Sequence, residues 1–168
     1  MTARPLLLFP DPRLRGRAEP VAAFDAALRA LAADIVDTMG REGAIGLTAP
    51  HLGVPLRVAV VRAEPGAAAR VYVNPVAVEA SAELAGHEEG SVSMPGAREL
   101  VERPARVRVA FRDLDGAACE EAAEGFAAAI LQHEIDQLDG VFWTARLSRL
   151  KRERLEKRWA KKARAGRG

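Results

Sequence analysis

Apolar positions recur along this chain with more than one rhythm. Phe24, Leu28, Leu31 and Ile35 fall at helical spacing with alanine between them, which predicts a helix over residues 21–40 stopped by Gly40. Residues 57–61 and 71–78 are valine-rich runs split by the turn-like Glu64-Pro65-Gly66, as two strands would be. Val107, Val109 and Phe111 alternate with polar neighbours over 106–112, the period of a half-buried strand. Asp113-Leu114-Asp115-Gly116 then turns the chain into a partner strand over 117–122. A helical rhythm returns over 124–139, stopped by Gly140, and again from Ser148 to about Arg164. A glycine-punctuated loop is expected over 43–51, and 88–96 is another segment bounded by glycine and proline, with a turn at Ser91.

Strands and helices are segregated and do not alternate. That pattern predicts an α+β fold, with small antiparallel sheets around the helix at 124–139, and excludes a doubly wound parallel sheet. A chain of 168 residues is expected to form one body, over 1–147, followed by a basic helical tail over 148–168. No apolar run approaches the length of a bilayer span, and prolines interrupt the short greasy start, so a soluble, cytoplasmic protein is expected with no membrane partner. The single cysteine, Cys119, excludes an internal disulfide framework and reads as a small buried hydrophobe.

Charge changes the picture at the C-terminus. Residues 149–168 hold ten Lys and Arg against Glu153 and Glu156, so with a net charge of +2 the preceding 148 residues are six charges negative. Leu147, Leu150, Leu155 and Trp159 form a narrow apolar stripe in this basic segment. A helix docked through that stripe is one reading; contact with phosphates, weakening as salt rises, is the other.

The candidate chemistry centres on His133-Glu134-Ile135-Asp136-Gln137. In H-E-x-x-H on a helix, two imidazoles four residues apart grip a metal and the glutamate serves as general acid/base. Here the second imidazole is a carboxamide, a far weaker donor, so the motif is HExxQ. Two further segments accompany it: Gly43-Ala44-Ile45-Gly46-Leu47-Thr48-Ala49-Pro50-His51 and Glu89-Gly90-Ser91-Val92-Ser93.

Together these segments resemble the three signature motifs of the peptide deformylases, G-x-G-L-A-A-x-Q, E-G-C-L-S and Q-H-E-x-D-H-L. The likeness runs from about residue 4 to about residue 150. It implies a deformylase-like fold and a relationship to metal-dependent hydrolases that remove the N-formyl group from nascent formyl-methionyl peptides. It also implies a divalent metal, Fe or Zn, at the positions of Ser91, His133 and Gln137. Only His133 keeps the family's ligand type, so metal is expected to be weakly held or absent, and activity weak or absent. The resemblance makes Glu134 the proton carrier, and His51 and the Val92 amide the groups that would steady a formyl oxyanion. It sets Ile45, Gly46 and Arg98 along the substrate groove, and puts Ala129 where an arginine is usual. Partners implied are N-formylated or other nascent peptide N-termini and, through the basic helix, ribosomal RNA.

Two alternatives stand beside weak deformylation. A relocated metal could use His51 with His133 and Glu134. A metal-free pocket would let His133 bond Glu134, Gln137 or Ser91, the last inviting comparison with nucleophilic hydrolysis, or would leave a non-catalytic peptide- or ribosome-binding module. His87, beside Glu88 and Glu89, reads as an exposed strand histidine, and Trp143 as core or lid packing.

Overall fold

The computed structural model describes residues 4–166. Among them no helix is long and apolar enough to cross a membrane. In chain order the elements are α1 (Ala26–Glu42), β1 (Gly46–Thr48), β2 (Val58–Val61), β3 (Arg70–Ala80), β4 (Leu84–Ser91), β5 (Met94–Pro104), β6 (Arg106–Arg112), β7 (Ala118–Glu124), α2 (Gly125–Leu138) and α3 (Arg149–Ala165). Short 3-10 turns lie at Pro12–Arg15, Ala49–Leu52 and Trp143–Arg146. Strands β1-β2-β3-β6-β7 form one antiparallel sheet, and β4-β5 form a second. This is the expected α+β arrangement.

The pleat of the larger sheet divides its side chains between two cores. Successive strand residues face opposite sides, so Ala59 and Val61 of β2 join Val107, Val109 and Phe111 against Ala128, Leu131, Ile135 and Leu138 of α2. Val58 and Val60 face the other way, onto Leu28, Leu31, Ile35 and Met39 of α1. A fully buried aliphatic side chain contributes roughly 1.5–3 kcal/mol, so the first layer fixes α2, and everything it carries, to the sheet, and the second braces the sheet's other face with α1. A third cluster joins Met94, Ala97 and Val101 of β5 to Phe142, Trp143, Leu147 and Leu155. Trp143 is therefore core.

Several boundaries differ from the expectation. α1 begins at Ala26, capped by the Asp25 carboxylate accepting from the Leu28 amide, and runs through Gly40 to Glu42. Gly43 is the residue that ends it, because it adopts the left-handed conformation (φ 64°) that terminates helices and that glycine takes without a Cβ clash. The segment 88–96 is the tip of a long hairpin: Glu88–Ser91 and Met94 onward are strand, and the two-residue turn is Val92-Ser93. In α3, Leu155 is buried and Trp159 packs on the third cluster, but Leu150 is 56% exposed and drops out of the stripe. The Trp159 indole N–H donates to the Pro95 carbonyl at 2.9 Å, tying α3 to the start of β5.

Candidate functional site

The three motif segments meet around one open cleft of about 440 Å³. Ile45, Gly46 and His51 come from the β1 region, Ser91 from the end of β4, Val92 from the β4–β5 turn, Arg98 from β5, and His133 and Glu134 from α2. Ala129 lines it one helical turn before His133, and the half-exposed side chains of Ile45 and Phe126 give it an apolar lip. Of the site residues expected from sequence, only Gln137 is absent from this lining. It is 2% exposed, and its Nε2 donates to the Leu14 carbonyl at 2.7 Å.

His133 is oriented from behind. Its Nδ1 lies 2.8 Å from Glu89 Oε1. Glu89 in turn receives the Arg103 fork, Nε at 2.6 Å and Nη2 at 2.9 Å. Arg103 Nη1 donates to Asp136 at 2.8 Å, and Asp136 accepts two more bonds from Arg146, at 2.8 and 2.6 Å. Burial pushes the Glu89 carboxyl up, but Arg103 and His133 more than reverse this and hold it at about 2. An ionised carboxylate only accepts, so His133 Nδ1 carries a proton. Desolvation pulls the His133 imidazole down, while Glu89 and Glu134 outweigh it and raise its affinity for a second proton.

Glu134 has the opposite surroundings. It is buried, its Oε2 has no hydrogen-bond partner, and Oε1 sits against Gly46 so closely that a Cβ there would overlap it. Burial pushes its carboxyl up to about 7, against the pull of His133. His51 is 2% exposed and accepts the Thr48 amide N–H on Nδ1 at 3.1 Å, with the Thr48 hydroxyl at 2.8 Å. A ring nitrogen that accepts from an amide is unprotonated, so the neutral ring carries its proton on Nε2. Burial, then the positive charge of His133, pushes His51 down to about 3 and keeps it neutral.

Ser91 does not bond His133. Its hydroxyl accepts the Ser93 amide at 3.1 Å, within the tight turn. The expected partners of His133, namely Glu134, Gln137 and Ser91, are thus all replaced by Glu89. Glu89 is the buried carboxylate of β4, and the hairpin presents it to α2. The relay through Glu89, Arg103, Asp136 and Arg146 escaped sequence reasoning, although Glu89 and Asp136 are letters of the recognised motifs. A basic residue at an inward position of a strand was the available signal.

His87 also differs from expectation: it is half-buried, its ring lies 5.9 Å from that of Phe126, and its Nε2 is enclosed without a partner. Among the described residues no three His, Cys, Asp or Glu side chains converge to hold a metal ion.

Comparison with known proteins shows the family and the fold. The model of the family described as polypeptide deformylase matches residues 3–153. A peptide deformylase-like protein of Bradyrhizobium diazoefficiens is 56% identical over 164 residues, covering 98% of this chain and 96% of the relative. The same organism has a peptide deformylase 42% identical over 170 residues, covering 97% of this chain and 98% of the relative. The crystal structure of a peptide deformylase from Legionella pneumophila, 38% identical, superposes with a TM-score of 0.90 over 98% of both chains. The chain belongs to the polypeptide deformylase family.

Proposed function

We propose that this protein retains the family's peptide-binding cleft and carries out metal-dependent deformylation weakly or not at all. The observation that carries this reading is the pairing of Gln137, whose carboxamide N–H is bound to the Leu14 carbonyl, outside the cleft. The residues present do not fit a resident divalent ion. At the three positions implied by the resemblance, His133 is an oriented imidazole, Ser91 is a neutral hydroxyl engaged by its own turn, and Gln137 is a neutral amide. A thiolate and a second imidazole would supply a charge and a strong donor that these groups do not.

The geometry also speaks against the two catalytic alternatives. A relocated metal needs a lone pair on His51 Nε2, yet the Thr48 amide occupies Nδ1 and leaves the proton on Nε2. A serine nucleophile needs a base in contact, and Ser91 and His133 are not hydrogen-bonded. What His51 retains is a donor. Its Nε2–H and the Val92 amide are suited to the oxygen of a formyl or peptide carbonyl, the task a glutamine N–H performs in the motif this chain resembles.

The partner class is then a nascent peptide N-terminus, held while other groups stay solvent-facing. Lys151, Arg154, Lys157 and Lys161 line one patch of α3 with Glu99 as the acid beside them, a surface suited to ribosomal RNA phosphates. The coexistence in Bradyrhizobium diazoefficiens of a deformylase-like protein and a deformylase is consistent with a division of labour. The decisive measurement is metal content per chain together with formate release from a formyl-methionyl peptide. Far less than one ion per chain and negligible formate are expected; a stoichiometric ion with steady turnover would overturn the reading.

A further inference from the structure

We propose that a peptide seated in the cleft continues over Gly96 into a second groove, between the start of β5 and α3, and that this groove selects acidic residues downstream of the bound terminus. This rests on the reading that the cleft holds peptide N-termini. The two depressions share a wall: Pro95, Gly96, Ala97 and Arg98 line both. Gly96 leaves that wall bare. It adopts φ 79°, and a Cβ built there would meet nothing within 4 Å. A chain leaving the cleft across Gly96 enters a space of about 480 Å³ whose far side is α3.

That far side is two rows of α3 residues, each with the four-residue spacing that sets side chains on one helix face. Leu155, Trp159 and Ala163 give it apolar surface, and Arg158 and Lys162 give it charge. The Trp159 indole donates to the Pro95 carbonyl, so the apolar row and the shared wall are joined. No acid lines this groove. The ion pairs of α3 use Arg149 with Glu153 and Lys151 with Glu99, which leaves Arg158 and Lys162 without a counter-charge among the described residues. Arg98 adds a third cation on the shared wall, its contact with Glu88 being long, 3.4 Å, and exposed. The cleft has the opposite sign: Glu42, Glu88, Glu89 and Glu134 line it. One chain crossing both therefore meets acids first and cations second. Acidic residues suit the second stretch, where guanidinium and ammonium groups otherwise face water alone. Phosphates of RNA suit the neighbouring patch at Lys151 and Lys157, whereas the wall shared with the cleft assigns this groove to the peptide.

The test is calorimetric titration of the full-length protein with formyl-methionyl-alanyl-serine, and with the same peptide extended by a run of aspartates, asparagines or lysines. At low ionic strength the aspartate peptide is expected to bind about tenfold more tightly than the asparagine peptide, as a few exposed charge pairs allow. The lysine peptide should bind more weakly than either. The gain should shrink to about twofold or less near 0.5 M salt. Arg158→Glu with Lys162→Glu should abolish the aspartate preference and leave the affinity of the unextended peptide unchanged. Both side chains are exposed, and Arg158→Gln with Lys162→Gln serves if charge reversal disturbs the helix. An unextended peptide that binds while the extensions make no difference sinks only this inference. Failure of every peptide to bind sinks the reading beneath it as well. Lost binding of a ribosomal RNA fragment in the charge-reversed protein, with the aspartate preference intact, would give the groove to phosphates and overturn the assignment.

Discussion

The two sides of His133 are built in opposite ways. Behind the ring, Glu89, Arg103, Asp136 and Arg146 form an ionic chain in which each buried carboxylate and the buried guanidinium has its counter-charge. In front of it, Glu134 is enclosed with an unpartnered oxygen and Gln137 is bound elsewhere. The difference teaches that the support for a pocket and the grip of a pocket are separable. The scaffold that aims His133 is complete, while the side chains in front of it are not matched in the same way.

The sharpest way to break that contrast is to cut the paired side. Arg103→Met leaves Glu89 and Asp136 buried against an apolar side chain, and should cost about 3–5 kcal/mol, read as a fall in denaturation midpoint. Glu134→Gln, which removes an unpaired charge with little change of shape, should cost far less or stabilise; equal losses at the two sites would erase the distinction. The converse is to rebuild the grip. Ser91→Cys with Gln137→His should bring metal content toward one ion per chain and raise formate release by more than about 100-fold, because ligand losses exceed the effect of outer-shell changes. No gain of metal would mean that the front of the cleft has diverged beyond these two side chains.

Two smaller effects sharpen the picture. Gly46→Ala forces a methyl into the Glu134 carboxylate and should destabilise by about 1–3 kcal/mol in urea melts, with the cleft's ligand affinity falling alongside. His51 gives a pH signature. Its folded value of about 3 lies below the ordinary 6.5, so on acidification the unfolded chain takes up the proton first, and stability is lost as pH falls from 6.5 toward 3. Between pH 6.5 and 5 the loss should be roughly 1.5 kcal/mol, and His51→Gln should remove it. An unchanged pH slope in that variant would show His51 to be protonated in the fold.

The parts legible from sequence share one property: local pattern and tertiary role agree. α2 is an unbroken periodic run, the Asp113–Gly116 turn sits between alternating strands, and Ser91, Val92, His133 and Glu134 fall into one cleft because the helix and hairpin carry them there. β4 and β5 were illegible for the converse reason. Gly86 and Gly90 dilute strand character, and Arg103 occupies an inward position where alternation calls for a hydrophobe. Its burial makes sense only with Glu89 and Asp136 in view, and these come from a neighbouring strand and a distant helix. Glu89 is legible as a motif letter, but nothing along the chain names Arg103 and His133 as its partners.

The indole clasp between Trp159 and the Pro95 carbonyl has a practical bearing. Pro95 is also a wall residue of the cleft, so the last helix and the cleft rim are one mechanical unit. A fragment trimmed to the boundary of the shared family segment, at residue 153, would discard the clasp. Its rim would be left to fray, and such a truncated preparation would misreport what the whole protein holds.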